Sequence, residues 1–154
     1  MPLLDFLTAD AVAPFLRASG KKHALQELSA HAARLTGCDE REIFETLLQR
    51  ERLGSTGIGE GIAIPHAKLP RLERVFGLVA RLERPVDFDA LDGQPVDMLF
   101  LLLAPEGAGA DHLKALARAA RVLREPGLLE RLRAARDGDA IYALLSQVGA
   151  PKAA

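Results

Sequence analysis

Gly54-Ser55-Thr56-Gly57-Ile58-Gly59-Glu60-Gly61-Ile62-Ala63-Ile64-Pro65-His66 is the stretch on which the reading of this chain turns. Four of its first eight residues are glycine. Glycine permits positive φ and lets backbone approach backbone, or an anion, with no Cβ between them. Ile62-Ala63-Ile64 predicts a short buried strand. Pro65 has no N–H for a central ladder, so the strand is expected to stop there. His66 is thereby expected at a strand end beside a glycine-rich loop, facing a cleft.

Upstream, Lys21 to Thr36 reads as a helix with Leu25, Leu28, Ala32 and Leu35 on one stripe, ended by Gly37. Asp39 and Glu42 have capping-box spacing and open a second helix with Ile43, Phe44, Leu47 and Leu48 inward. That helix delivers Arg50 and Arg52 to its C-terminal end, where cations are favoured in any case. Before these helices, Met1 to Leu16 contains a short edge strand interrupted by Pro14.

Downstream, Ala67 to Arg74 reads as a polar connection. Val75 to Arg84 alternates, with Phe76, Leu78, Ala80 and Leu82 on one face and a more polar second face. Pro85 to Pro95 is a loop. Val96 to Ala104 is nearly all apolar and predicts a central strand covered on both faces. Pro105 to Ala110 is a second glycine-containing loop. Asp111 is expected to cap a helix with Leu113, Leu116, Ala117, Ala120 and Leu123 inward, which puts His112 in its first turn. Pro126 suits the first turn of a short helix with Leu128, Leu129 and Leu132 inward. Asp139 is expected to cap the last helix, with Ile141, Leu144, Leu145 and Val148 inward. The tail 149–154 is expected to fray.

Helices, then strands, then helices imply one layered α/β domain with its core over about 5–148 and a mixed β-sheet flanked by helices. With 154 residues and 49% hydrophobic side chains the chain can bury a substantial core. A net charge of −1 supplies no general drive toward nucleic acid or an anionic membrane. The single cysteine, Cys38, excludes an intrachain disulfide framework and fits a reducing cytoplasm. No apolar run reaches membrane-spanning length, and the acidic N-terminus does not read as a signal peptide.

His66, His112 and Arg50 can meet at one sheet edge, near a helix N-terminus. That set suits an anion, most naturally a phosphoryl group. Helix-start N–H groups bind phosphate, arginine presents a planar fork to its oxygens, and a neutral imidazole is a competent nucleophile. A histidine picked from a sequence is usually a solvated or satisfied side chain, and His23 and His31, on a regular helix, stay with that reading. No Gly-Lys-Ser/Thr follows the glycines, so a P-loop is not supported. No Cys, Asp or Glu stands at ligand-like spacing beside His66, and no metal or other cofactor is expected. There is no Gly-x-Ser-x-Gly elbow.

The stretch from Gly54 to His66 resembles the active-site signature of the IIA domains of the bacterial phosphotransferase system, mannitol/fructose class. It is most similar to the nitrogen-regulatory branch. The resemblance extends from the helix at Lys21 to the helix ending near Val148. It implies phosphorylation of His66, with His112 and Arg50 supporting the transfer and the phosphoryl group arriving from an HPr-like phosphohistidine carrier. Ser55 and Thr56 are further candidates as hydrogen-bond donors, equally readable as turn residues. Ala67 stands where relatives often have glycine.

Three readings remain open at this point. The first is a stand-alone regulatory phosphoryl carrier acting on protein partners, with no room in 154 residues for IIB or IIC segments. The second is a sugar-uptake component for fructose or mannitol. The third is a binding module that is never phosphorylated. The oligomeric state, a homodimer included, is open as well. A phosphoryl group adds about −1.5 to −2 charge. Beside apolar Ile58, Ile62 and Ile64 it is expected to release partners docked over the site.

Overall fold

The computed structural model describes residues 1–149. The expected tail at 149–154 falls, except for Gly149, outside the described residues. A short 3-10 turn at Leu3–Asp5 leads into β1 (Val12–Leu16). The helices α1 (Lys21–Thr36) and α2 (Glu40–Arg52) follow. Next come β2 (Gly57–Gly59), β3 (Ile62–Ala63), β4 (His66–Leu69), β5 (Phe76–Val86) and β6 (Val96–Pro105). Three helices close the described chain: α3 (Ala110–Leu123), α4 (Leu128–Ala134) and α5 (Gly138–Gly149).

The strands form one mixed sheet in the order β1-β5-β6-β3-β2, with β4 also paired to β6. β1 runs parallel to β5, and β5 runs antiparallel to β6. β3 and β4 both run parallel to β6 on its other side, with Ile62 opposite Met98 and His66 opposite Leu102. β6 is the predicted central strand: Met98 through Ala104 are wholly buried. α3 packs on this strand, while α1 packs on β5, α2 on β4 and α5 on β1.

α1 has the predicted bounds, and its left-handed C-cap is Gly37. Leu25, Leu28 and Ala32 are buried, but Leu35 is an exposed last-turn residue, so the inward stripe stops one turn early. α2 is capped as predicted, with the Asp39 carboxylate accepting from Glu42 N at 2.9 Å.

Five further expectations are corrected. The stretch after His66 is a strand, because Ala67 and Leu69 point into the core while the backbone pairs with Leu103 and Pro105. β5 runs through Pro85 to Val86, and Gly77 and Val79 on its second face are buried, so that face is not polar in its first half. α3 starts at Ala110 after the N-cap Gly109, with no side-chain cap, and its inward face is His112, Ala115, Ala119, Val122 and Leu123. Leu113 and Ala117 therefore face out. The helix is capped two residues earlier than Asp111 suggested, at Gly109. Finally, Asp137 caps α5 by accepting from Ala140 N at 2.9 Å, and Asp139 lies in the first turn. Pro126 precedes α4, which begins after Gly127.

Candidate functional site

The glycine stretch is built as a hairpin. β2 pairs with β3 through the turn Gly59-Glu60-Gly61, in which all three residues have positive φ. Gly61 has φ +81°, a left-handed conformation that strains any other residue, and a Cβ there would also displace the Arg133 guanidinium and crowd Asp97 Oδ1 at 3.1 Å. The turn is held from outside. Asp92 accepts from Glu60 N at 3.0 Å, and Arg133 donates to Glu60 O at 2.8 Å while pairing with Asp97. β3 then stops before Pro65, whose carbonyl accepts from Leu102 N at 2.9 Å. The chain resumes pairing at His66, so His66 opens a strand. Its ring is fixed by the break between the two strands.

The His66 ring has one partner on each nitrogen. Nδ1 lies 2.9 Å from Ile64 O, and Arg50 Nε donates to Nε2 at 3.2 Å. A carbonyl only accepts and a guanidinium only donates. The neutral tautomer with hydrogen on Nδ1 and a lone pair on Nε2 satisfies both. Arg50 is itself positioned by donating to Gly54 O at 2.9 Å, where α2 gives way to the glycine stretch.

His112, brought in by the first turn of α3, stacks at a tilt against His66, with ring centroids 5.4 Å apart. It is buried, and its Nδ1 has no hydrogen-bond partner among the described residues. An enclosed lone pair is tolerated better than an enclosed N–H. That favours hydrogen on Nε2, the ring nitrogen left to face the opening.

Both rings line a cavity of about 700 Å³ together with Thr46, Gln49, Arg50, Arg52, Leu53, Ala67 and Lys68. The sequence-predicted trio of His66, His112 and Arg50 is thus assembled in one place. Ser55 and Thr56 are not part of this lining. Ser55 Oγ donates to Phe88 O at 2.6 Å and accepts from Gly57 N. Thr56 gives its N–H and its hydroxyl to the two oxygens of the buried Glu51 carboxylate, at 2.9 and 2.6 Å. Lys21 Nζ completes this cluster, 3.1 Å from Glu51 and 3.1 Å from Asp89.

The sequence reading passed over Glu51, Lys21 and Lys68. A signal existed for two of them. An acid between two arginines in the last turn of a helix opposes the helix dipole and needs a partner. Lys68 is two residues from His66 on a strand, hence on the same face. The reading also framed the site with Ile58, Ile62 and Ile64. Ile62 and Ile64 are in the core, with 1% and 2% exposure, so the frame of the opening is cationic instead.

Burial lowers the pKa of His66; the Ile64 bond opposes this, Arg50 adds to it and Glu51 opposes it. Burial also lowers His112, helped by His66 and Lys68. Both rings are therefore neutral at pH 7. Burial and Arg34 lower His31 too, against Glu27. In the unfolded chain these histidines titrate at about 6.5. Below that value the unfolded chain binds more protons than the folded one, so stability is full above it and lost as pH falls through it toward the folded values. The urea midpoint is expected to drop between about pH 7.5 and 5.5, across that unfolded value. The drop should be smaller in His112→Gln, which removes one of the three groups.

Among the described residues, no group of three or more His, Cys, Asp or Glu could hold a metal ion. No helix of the described residues is long and apolar enough to cross a membrane. Residues 5–148 match the family model for the phosphoenolpyruvate-dependent sugar phosphotransferase system, EIIA 2. The chain is 62% identical over 146 residues to a nitrogen regulatory protein of Bradyrhizobium diazoefficiens, covering 95% of each chain. It is 39% identical over 147 residues to a nitrogen regulatory protein of Escherichia coli, covering 95% of this chain and 90% of that one. The crystal structure of nitrogen regulatory protein IIA-Ntr from Neisseria meningitidis superposes with a TM-score of 0.85 at 33% identity, over 92% of this chain and 97% of that one. With a family match over nearly its whole length and a fold shared with IIA-Ntr, this chain belongs to the EIIA type 2 family of the phosphoenolpyruvate-dependent phosphotransferase system.

Proposed function

We propose that the protein is a regulatory phosphoryl carrier that accepts a phosphoryl group on His66 Nε2 and signals through its phosphorylation state. The observation that carries this is the single tautomer imposed on His66: Ile64 O holds the proton on Nδ1, and the Nε2 lone pair is aimed at Arg50. In the transfer, the P–N bond of an incoming phosphohistidine breaks as P–Nε2 forms. The donor ring, carrying hydrogen on its other nitrogen, keeps the electron pair of the broken bond and leaves as a neutral imidazole, while His66 keeps its proton on Nδ1, so no proton has to be supplied. The transition state is loose, so positioning and charge stabilisation dominate and no general base is required.

Arg50 turns from the Nε2 lone pair to the phosphoryl oxygens. The Nε2–H of His112 and the free N–H groups of the first turn of α3 supply further donors. Donor and acceptor bonds are alike, so transfer is reversible. The names of the similar proteins favour the nitrogen-regulatory role over sugar uptake. The phosphoryl donor is expected to be an HPr-like protein of that branch.

Intact-protein mass spectrometry after incubation with a phosphorylated HPr-like donor tests the reading. A gain of one phosphoryl mass, lost on acid treatment as phosphohistidine requires, supports it. An unchanged mass would leave a binding module. His112→Ala should still accept the group, with transfer slowed roughly 10²-fold, the effect of one lost oxyanion donor. Rapid-quench kinetics measures this, and an unchanged rate would remove His112 from the mechanism.

A further inference from the structure

The lining of the His66 cavity has an uneven charge. Arg50, Arg52 and Lys68 contribute three cations, and no aspartate or glutamate lines it. Among the described residues none of the three forms a salt bridge, although the arginines and lysines at positions 17, 21, 41 and 133 do. Arg52 and Lys68 are exposed. Leu53, the residue after α2, lines the same opening with 85% of its surface in solvent. Leu113, next to His112, is 66% exposed. A catalytic pocket for one phosphoryl group does not need a leucine held out in water at its mouth, whereas a protein-binding surface uses apolar anchors inside a polar rim.

We propose that this collar is a docking surface for an acidic protein segment carrying a leucine-sized apolar side chain, which seats against Leu53 while its carboxylates face Arg52, Lys68 and Arg50. Charge complementarity sets the choice of occupant. The chain has a net charge of −1, so the attraction comes from this patch and not from the molecule as a whole. Nucleic acid would also meet the cations. Single strands, however, are held by stacking on aromatic side chains, and no Phe, Tyr or Trp lines the opening.

The same cations would face an incoming phosphoryl group, so the segment and the phosphoryl donor exclude one another. This part rests on the phosphoryl-acceptor reading. A phosphoryl group on His66, at about −1.5 to −2, cancels roughly half to two thirds of the collar charge and repels the segment's carboxylates.

A fluorescein-labelled decapeptide with two central leucines flanked by glutamates serves as the probe, read by fluorescence anisotropy against the full chain. Its lysine-flanked counterpart and a single-stranded oligonucleotide of equal charge are run beside it. The glutamate peptide should bind best and weaken with added salt. Binding should fall about fivefold to tenfold in Arg52→Glu, in line with exposed charge pairs of modest strength. Leu53→Ser should weaken it as well. Arg17→Glu makes the same change in net charge beyond β1, at the opposite edge of the sheet, and should leave binding unchanged.

Equal loss in Arg52→Glu and Arg17→Glu would overturn the proposal, as would tighter binding of the oligonucleotide or the lysine peptide. Phosphorylated protein should bind the glutamate peptide at least about fivefold more weakly, since up to two opposing charges are added. If mass spectrometry shows phosphorylation and binding is unchanged, the docking proposal fails and the carrier reading stands. If no phosphorylation occurs and binding still depends on Arg52 and Leu53, the carrier reading fails and the docking surface stands.

Discussion

His66→Ala is expected to take up no phosphoryl group from a phosphorylated HPr-like donor, and to unfold within about 1 kcal/mol of the wild type, the scale of one ordinary hydrogen bond. The loss of function is total because the site offers no second nucleophile in the same position. The neighbouring His112 has Nδ1 enclosed, and its other nitrogen is the proton-bearing one in the favoured tautomer. The effect on stability is small because the ring is only partly buried and the variant loses two hydrogen bonds of ordinary strength, to Ile64 O and to Arg50, which lines the cavity. Intact mass and urea titration of the same preparation read both quantities. An adduct of undiminished stoichiometry, mapped to His112, would exchange the roles of the two histidines.

The largest effect on stability is expected at Glu51. Its carboxylate, 6% exposed, is bound by Thr56 N, Thr56 Oγ1 and Lys21 Nζ. Glu51→Ala leaves a buried amide and hydroxyl without partners and removes one of two carboxylates from Lys21. Breaking one side of a buried ion pair costs about 3–5 kcal/mol. Lys21 keeps Asp89 and some access to water, which places this case near about 3 kcal/mol, the low end of that range. Against a total stability of about 5–15 kcal/mol this is a severe loss. Glu51→Gln retains the shape and one acceptor oxygen and should cost about 1.5–2 kcal/mol, the low end for a hydrogen bond to a charged group. Urea midpoints of the two variants test the ranking. If both unfold with the wild type, the cluster does not anchor the glycine stretch.

The parts of this molecule that the sequence discloses are those governed by short-range rules. Gly37 and Asp39 end and start helices through local geometry, and both do so in the structure. The nearly all-apolar run from 96 to 104 reads as a buried strand by its length and composition. His66, Arg50 and His112 were legible because glycines, a proline and a helix start bracket them. Side-chain destinations were harder to read.

Ser55 and Thr56 sit in a turn-like context, and their actual partners, Phe88 O and Glu51, are set by tertiary packing. The inward face of α3 was misjudged because Leu113 is more apolar than His112, yet the helix starts at Ala110 and turns the histidine inward. β4 was missed because Lys68, Arg71 and Glu73 make the stretch look like a loop. Only its parallel pairing with β6 makes it a strand.

That pairing has a consequence for how the protein is made. The strand that opens with His66 bonds to β6 alone, about thirty residues later in the chain, and β6 in turn precedes the helix that brings His112. On the ribosome the chain emerges amino-terminal end first. Long after Arg50 and His66 have been synthesised, they still have no sheet to hold them. The arrangement of Arg50, His66 and His112 arises only when β6 and α3 have cleared the exit tunnel, so on the carrier reading proposed above a shorter nascent chain has no assembled site to offer a phosphoryl donor.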